Sequence, residues 1–291
     1  MNASWFWERL GFLSKPESGL ATRIQAQVLS DIGCDREMNE DSACCIHPAD
    51  IALLHNKGVL AIVADGMGGH PSGELASKIA TDAITKTYYD SPYEAQRALR
   101  EAIAAANSAI RDAATINEES KGMGATCTAI ALLPHAAVFG HIGDTRLYLV
   151  RDGRIRQLTE DQTRVMRMIK QGLLSKENAR KHEDRNIVLE ALGQRPSTEG
   201  AQWGTANPTR IGDQFVLCSD GLHDLIRDDE IRDHILRCKP EIVCQELVAL
   251  AKSRGGYDNI TVVVLRIVAA GNTESKCSDT VGEAPHVAKD H

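Results

Sequence analysis

Acidic residues close apolar stretches at widely separated places in this chain. They are Asn39-Glu40-Asp41, then Asp65-Gly66 after Val59-Leu60-Ala61-Ile62-Val63, and Asp220-Gly221 after Phe215-Val216-Leu217-Cys218. A fourth acid, Asp258, stands just ahead of Ile260-Thr261-Val262-Val263-Val264-Leu265. Carboxylates at strand ends, distant in sequence, are what a fold needs to converge oxygen donors on one point. A donor set made only of oxygen selects hard cations such as Mg²⁺ or Mn²⁺ over zinc. The chemistry indicated is metal-assisted hydrolysis.

Two neighbourhoods sharpen this. In Arg36-Glu37-Met38-Asn39-Glu40-Asp41 a guanidinium stands beside carboxylates. On a solvated loop that is a surface ion pair of little worth. With further acids close in space, Arg36 can instead hold a phosphate oxygen bidentately while Glu40 binds metal. In Asp65-Gly66-Met67-Gly68-Gly69-His70-Pro71-Ser72-Gly73-Glu74, glycine recurs around a turn that enters a helix. Glycine lets a backbone carbonyl approach a ligand closely, so Asp65 can bridge two cations while the Gly66 carbonyl ligates one. No Gly-Lys-Ser/Thr follows, which argues against a nucleotide-phosphate loop, and His70 reads as a loop histidine. Ser219 is no nucleophile elbow, because Leu217 occupies the first glycine position of Gly-x-Ser-x-Gly. His182-Glu183-Asp184-Arg185-Asn186 is no zinc-protease motif, because Asn186 stands where the second histidine must be.

The elements that must position these residues are strands and paired helices. Apolar runs bounded by turn residues predict strands near 25–33, 58–64, 126–133, 136–142, 146–151, 154–158, 214–218 and 260–268. Asp152-Gly153 predicts a tight hairpin. Helical apolar spacing marks 73–89, 92–116 and 240–253. Short turns between successive strands imply an antiparallel α+β arrangement rather than a doubly wound parallel sheet.

Of 291 residues, 43% are hydrophobic and 25% charged, ordinary for a globular protein with a sizeable core. A net charge of −7 without a Lys/Arg block argues against nucleic-acid binding. The eight cysteines show no Cys-x-x-Cys spacing and read as small hydrophobes in a reducing, cytoplasmic setting. No apolar stretch approaches the ~18–20 residues of a membrane span, and the start lacks a secretory pattern. Residues 1–22 read as a flexible leader, the alternative being a docking segment that uses Trp5, Phe6 and Trp7. Residues 269–291 read as a polar, disordered tail. Residues 23–268 read as one domain.

Eight blocks in order carry a resemblance: Arg36-x-x-Asn39-Glu40-Asp41, Asp65-Gly66-Met67-Gly68-Gly69, Gly73-Glu74, Gly122-Met123-Gly124-Ala125-Thr126, Gly143-Asp144-Thr145-Arg146, Leu158-Thr159-x-Asp161, Ser219-Asp220-Gly221-Leu222 and Asp258-Asn259-Ile260-Thr261. Together they resemble the bacterial branch of the metal-dependent protein phosphatases, the type 2C or PPM family, over roughly residues 23–268. The resemblance implies a central β-sandwich of two antiparallel sheets with helical pairs on both outer faces. It implies two Mn²⁺ or Mg²⁺ ions: Asp65 bridging, Asp220 and Asp258 on the first, Glu40 and the Gly66 carbonyl on the second. Asp41 would orient the attacking water and Arg36 the phosphate, in an in-line hydrolysis of phosphoserine or phosphothreonine by a hydroxide between the ions, without a phosphoenzyme. The stretch from about 161 to 200 would be a flap beside the site.

The implied substrates are phosphorylated proteins made by a Ser/Thr kinase, and a monomer is expected. A regulator dedicated to one partner and a catalytically silent binding module are the competing readings. Retention of Glu40, Asp65, Asp220 and Asp258 argues against the silent module. Three departures stand out. Met67 occupies the position where some relatives carry a proton-donating histidine. Glu118-Glu119 stand where others carry an aspartate for a third ion. Ala125 replaces a common threonine.

Overall fold

Val59–Val63 is apolar at every position because that strand is covered on both faces. Leu60, Ile62 and Ala64 face helices, while Ala61 and Val63 face a second sheet. A computed structural model describes residues 22–68, 72–116, 118–179 and 182–270. His70, the segment bearing Trp5, Phe6 and Trp7, and nearly all of the leader and tail lie outside the described residues.

Among the described residues ten strands form two five-stranded sheets. They are β1 (Thr22–Asp31), β2 (Asp41–Ile46), β3 (Val59–Met67), β4 (Gly124–Leu132), β5 (Ala137–Ile142), β6 (Arg146–Arg151), β7 (Arg154–Gln157), β8 (Gln202–Ala206), β9 (Gln214–Cys218) and β10 (Ile260–Ala269). One sheet runs β1-β10-β9-β6-β7 and the other β2-β3-β4-β5-β8, with every pairing antiparallel. Between the sheets lie Ile130, Phe139, Leu147, Leu149, Phe215, Leu217, Val263 and Leu265.

The helices are α1 (Ile51–Lys57), α2 (Ser72–Asp90), α3 (Ala95–Ala114), α4 (Arg164–Lys170), α5 (Lys176–Ala179), α6 (Asp220–His223), α7 (Asp228–Arg237) and α8 (Pro240–Ser253). The α2/α3 pair covers one sheet through Ala76, Ala80, Ile84, Leu99, Ile103 and Ile110. The α7/α8 pair covers the other through Ile231, Ile235, Val243 and Leu247. The result is the expected four-layer αββα sandwich. Asp152 (φ 50°) and Gly153 (φ 72°) form the expected tight turn between β6 and β7, with both central residues left-handed.

Strands β2 and β8 and helices α1, α4, α5, α6 and α7 were not foreseen. β2 reads Asp-Ser-Ala-Cys-Cys-Ile and is half-buried throughout, so no alternation marks it. β8 carries Gly204, against which Phe139 packs so closely that an added Cβ would lie 2.2 Å from the ring. In α7 only Ile231 and Ile235 are buried, leaving a highly charged sequence.

Candidate metal centre

The sheet register delivers the acids to one end of the sandwich. Asp41 on β2 sits directly opposite Asp65 on β3, and Asp65 opposite Thr126 on β4. Asp220 follows β9 as the first residue of α6, and Asp258 precedes β10, the strand paired with β9. Arg36, Glu40, Asp65, Gly66, Asp220 and Asp258 consequently line a single cleft of about 300 Å³. Asp41 stands behind them, its Oδ2 accepting the Ser219 hydroxyl at 2.7 Å, and that hydroxyl oxygen accepts the Thr261 N–H at 3.0 Å.

Close backbone approach explains two glycines. A Cβ on Gly66 would lie 2.0 Å from the Gly73 carbonyl oxygen and 2.8 Å from that of Glu40. A Cβ on Gly73 would lie 2.6 Å from the Glu40 carboxylate. The Gly66 N–H donates to the Glu40 carbonyl at 3.1 Å, so β3 and the residue before β2 are locked together beside the cleft.

Asn259 is the clamp that sequence reasoning missed. Its Oδ1 accepts the Glu40 N–H at 2.8 Å, and its Nδ2 donates to the Ile32 and Met38 carbonyls, both at 2.9 Å. One buried amide thus fixes the loop that carries Arg36 and Glu40. Arg36 is held at the rim, Nη2 donating to Asp258 Oδ2 at 2.9 Å, with 39% of the side chain exposed. Burial opposes its charge, but the Asp258 hydrogen bond and the charges of Asp258, Glu40 and Asp220 outweigh this and hold the guanidinium above its ordinary pKa.

Asp144 was also missed as a site residue. It is buried in the same cleft, at the end of β5's apolar run, which is the signal that marked Asp65 and Asp220. Burial first, then the charges of Asp161 and Asp224, push its carboxyl up to about 7. Asp65 is raised well above the carboxylate range by burial and by Asp41, Asp220, Asp144 and Asp258. Asp220 is raised by burial and by Asp144 and Asp258. Burial, with the charges of Asp258 and Glu40, lifts Asp41 to about 7 against the hydrogen bonds from Thr261 and Ser219. Neighbouring acids that raise one another in this way are a set that favours cations.

The donor chemistry fits divalent hard ions. Every ligand group is a carboxylate or a backbone carbonyl, and Thr126 Oγ1, buried on the cleft wall, has no hydrogen-bond partner among the described residues. Among the described residues no three His, Cys, Asp or Glu side chains stand as a ready-made chelate. Separated carboxylates suit ions that keep much of their coordination for water and phosphate oxygens. Met67 lines the cleft and offers no proton. Glu119 is exposed in a short 3₁₀ turn, its carbonyl accepting the Ser72 hydroxyl at 2.7 Å.

Residues 39–250 match the family model described as Protein phosphatase 2C. The serine/threonine protein phosphatase PstP of Mycobacterium tuberculosis is 35% identical over 240 residues, covering 82% of this chain and 44% of that protein. The chain therefore spans less than half the length of PstP. A putative protein phosphatase 2C-type from Streptococcus pyogenes is 36% identical over 249 residues, 83% of this chain and 97% of that one. A crystal structure of the catalytic domain of PstP in complex with two manganese ions superposes with a TM-score of 0.72 at 34% identity, covering 86% of this chain and 100% of that one.

Proposed function

Because this chain belongs to the protein phosphatase 2C family, we propose that it is a metal-dependent protein phosphatase acting on phosphoserine and phosphothreonine. The observation that carries the reading is the single cleft lined by Arg36, Glu40, Asp65, Gly66, Asp220 and Asp258.

Asp65 would bridge two Mn²⁺ or Mg²⁺ ions, Asp220 and Asp258 would hold the first, and Glu40 with the Gly66 carbonyl the second. Bound there, two such ions would supply Lewis-acid stabilisation of phosphoryl oxygens and an acidified water. The protein's own part is positional. Arg36 has five N–H donors, of which Asp258 engages one nitrogen, so the half-exposed guanidinium retains donors for a phosphate at the rim. Asp41, steadied by Ser219, orients the attacking water and takes its proton. With Met67 at the cleft, no histidine at that position protonates the leaving alkoxide.

We read the substrates as phosphorylated proteins made by a Ser/Thr kinase, and the enzyme as a monomer whose phosphatase domain spans 23–268. A cytoplasmic setting is supported by the seven described cysteines, all free thiols. No helix among the described residues is long and apolar enough to cross a membrane. Phosphate release from a phosphothreonine peptide, with EDTA and then with Mn²⁺ restored, tests the reading. Turnover should require metal and be lost in Asp65→Asn with the fold retained. Full turnover in that variant would sink the two-ion assignment.

A further inference from the structure

Between β7 and β8 the chain leaves the sandwich for more than forty residues and returns, and it contributes Asn186 and Val188 to the wall of the metal cleft. The excursion is tied back by the Ala125–Leu192 and Thr163–Val188 bridges and by a pair of glutamines, one at each of its roots. Gln162 uses every one of its backbone and side-chain amide groups on a different task. Its N–H donates to the Gly143 carbonyl at 2.7 Å, and its Oε1 accepts the Gly143 N–H at 2.8 Å. Its backbone carbonyl accepts the Leu189 N–H at 2.8 Å, and its Nε2 donates to the Gly200 carbonyl at 2.7 Å.

The second glutamine answers from the other root. Gln202 Oε1 accepts the Glu160 N–H at 3.0 Å and its Nε2 donates to the Glu160 carbonyl at 2.8 Å. The Gln202 amide and Gln162 Nε2 therefore cross between the outgoing and returning segments, each bonding the backbone of the opposite segment. Gly143 itself has little freedom: it sits at φ 105°, and a Cβ there would lie 2.3 Å from the Thr126 side chain. On its far side the Asp144 carbonyl accepts His223 Nε2–H at 3.0 Å.

We propose that Gln162, assisted by Gln202, is a positioning residue for the hydrolysis: a clasp that fixes the Gly143–Asp144 turn to both roots of the 161–201 excursion and so sets the cleft wall formed by Asn186 and Val188. The proposal rests on the phosphatase reading. A phosphoprotein touches that wall through the residues flanking its phosphate, whereas a small aryl phosphate reaches only the ions and Arg36. Loosening the clasp therefore acts on the protein substrate selectively.

The test uses the full chain loaded with Mn²⁺ and compares a phosphothreonine peptide with p-nitrophenyl phosphate. Gln162→Met keeps length and removes both side-chain bonds. Gln162→Glu keeps the acceptor for the Gly143 N–H and sets a carboxylate against the Gly200 carbonyl. In Gln162→Met, KM for the peptide should rise about tenfold, the worth of one or two net hydrogen bonds, with kcat on both substrates changed much less. Gln162→Glu should also raise the peptide KM. Amide hydrogen exchange adds a readout free of turnover: the Gly143 and Leu189 amides should exchange faster in Gln162→Met, and Gly143 should stay protected in Gln162→Glu. Unchanged peptide KM in both variants overturns the clasp. So does a parallel loss on both substrates that tracks the thermal midpoint, which is the mark of a purely structural residue. A wild-type chain that hydrolyses neither substrate refutes the phosphatase reading instead, and unaltered exchange at Gly143 and Leu189 then refutes the clasp on its own.

Discussion

Replacing Asp144 by asparagine should make the metal-free protein more stable at alkaline pH, the opposite of what most buried substitutions do. Asp144 is 5% exposed, and burial with the charges of Asp161 and Asp224 lifts its carboxyl to about 7. In the unfolded chain it titrates near 3.9. A carboxyl raised on folding gives its full stabilisation below the unfolded value and loses it as pH climbs through the folded value. At about 1.4 kcal/mol per pH unit, the wild type loses about 4 kcal/mol between pH 4 and pH 7 from this one group. Relaxation and water penetration reduce that, and half remains about 2 kcal/mol. For a domain of this size 1 kcal/mol moves the midpoint by about 2–4 °C, so Asp144→Asn should melt about 5 °C higher than wild type at pH 8 in EDTA. Below pH 4, where wild-type Asp144 is neutral in both states, the two should coincide. Calorimetry of both proteins across this range, in EDTA and again with saturating Mn²⁺, is the assay. A variant no more stable than wild type at pH 8 in EDTA would refute the claim that this carboxyl is held against its charge.

Three further outcomes follow from the geometry. Asn259→Ala should free the Ile32, Met38 and Glu40 backbone groups that it now binds, weakening Mn²⁺ affinity by about 10- to 100-fold, as loss of a ligand's supporting partner does; isothermal titration measures it, and unaltered affinity refutes it. His141 is fully buried, with Nε2 against the Glu160 carbonyl and Nδ1 against Thr128, and burial lowers its pKa to about 4. Because the unfolded imidazole titrates near 6.5, the protein should lose about 3 kcal/mol as pH falls from 6.5 to 4, and His141→Gln should flatten that slope in denaturant titrations. Gly66→Ala drives a Cβ to 2.0 Å from the Gly73 carbonyl oxygen, so it should destabilise by about 1–3 kcal/mol and lower metal affinity; a wild-type midpoint and affinity would show that the backbone yields there at no cost.

What could be read in the chain, and what could not, divides along physical lines. A strand covered on both faces must be apolar throughout, so β3, β4, β9 and β10 announce themselves, whereas edge strand β2, half-buried and built of small residues, leaves no pattern. The same logic exposes the acids. A carboxylate abutting such a run is about to be desolvated, and a cluster of desolvated carboxylates is tolerable only with cations, so Asp65 and Asp220 carry chemical information by position alone. Asp144 carries the same signal after β5 and was legible on that criterion. The scaffold that aims these acids is different in kind. Asn259 reaches residues more than 200 positions away, and Gln162 joins segments around 143, 189 and 200. An amide side chain is equally at home on any surface, so nothing local distinguishes one that clamps an active-site loop from one that meets water. Charge betrays itself in sequence because burying it is costly, while neutral hydrogen-bonding residues acquire their roles only when the sheets bring their partners within reach.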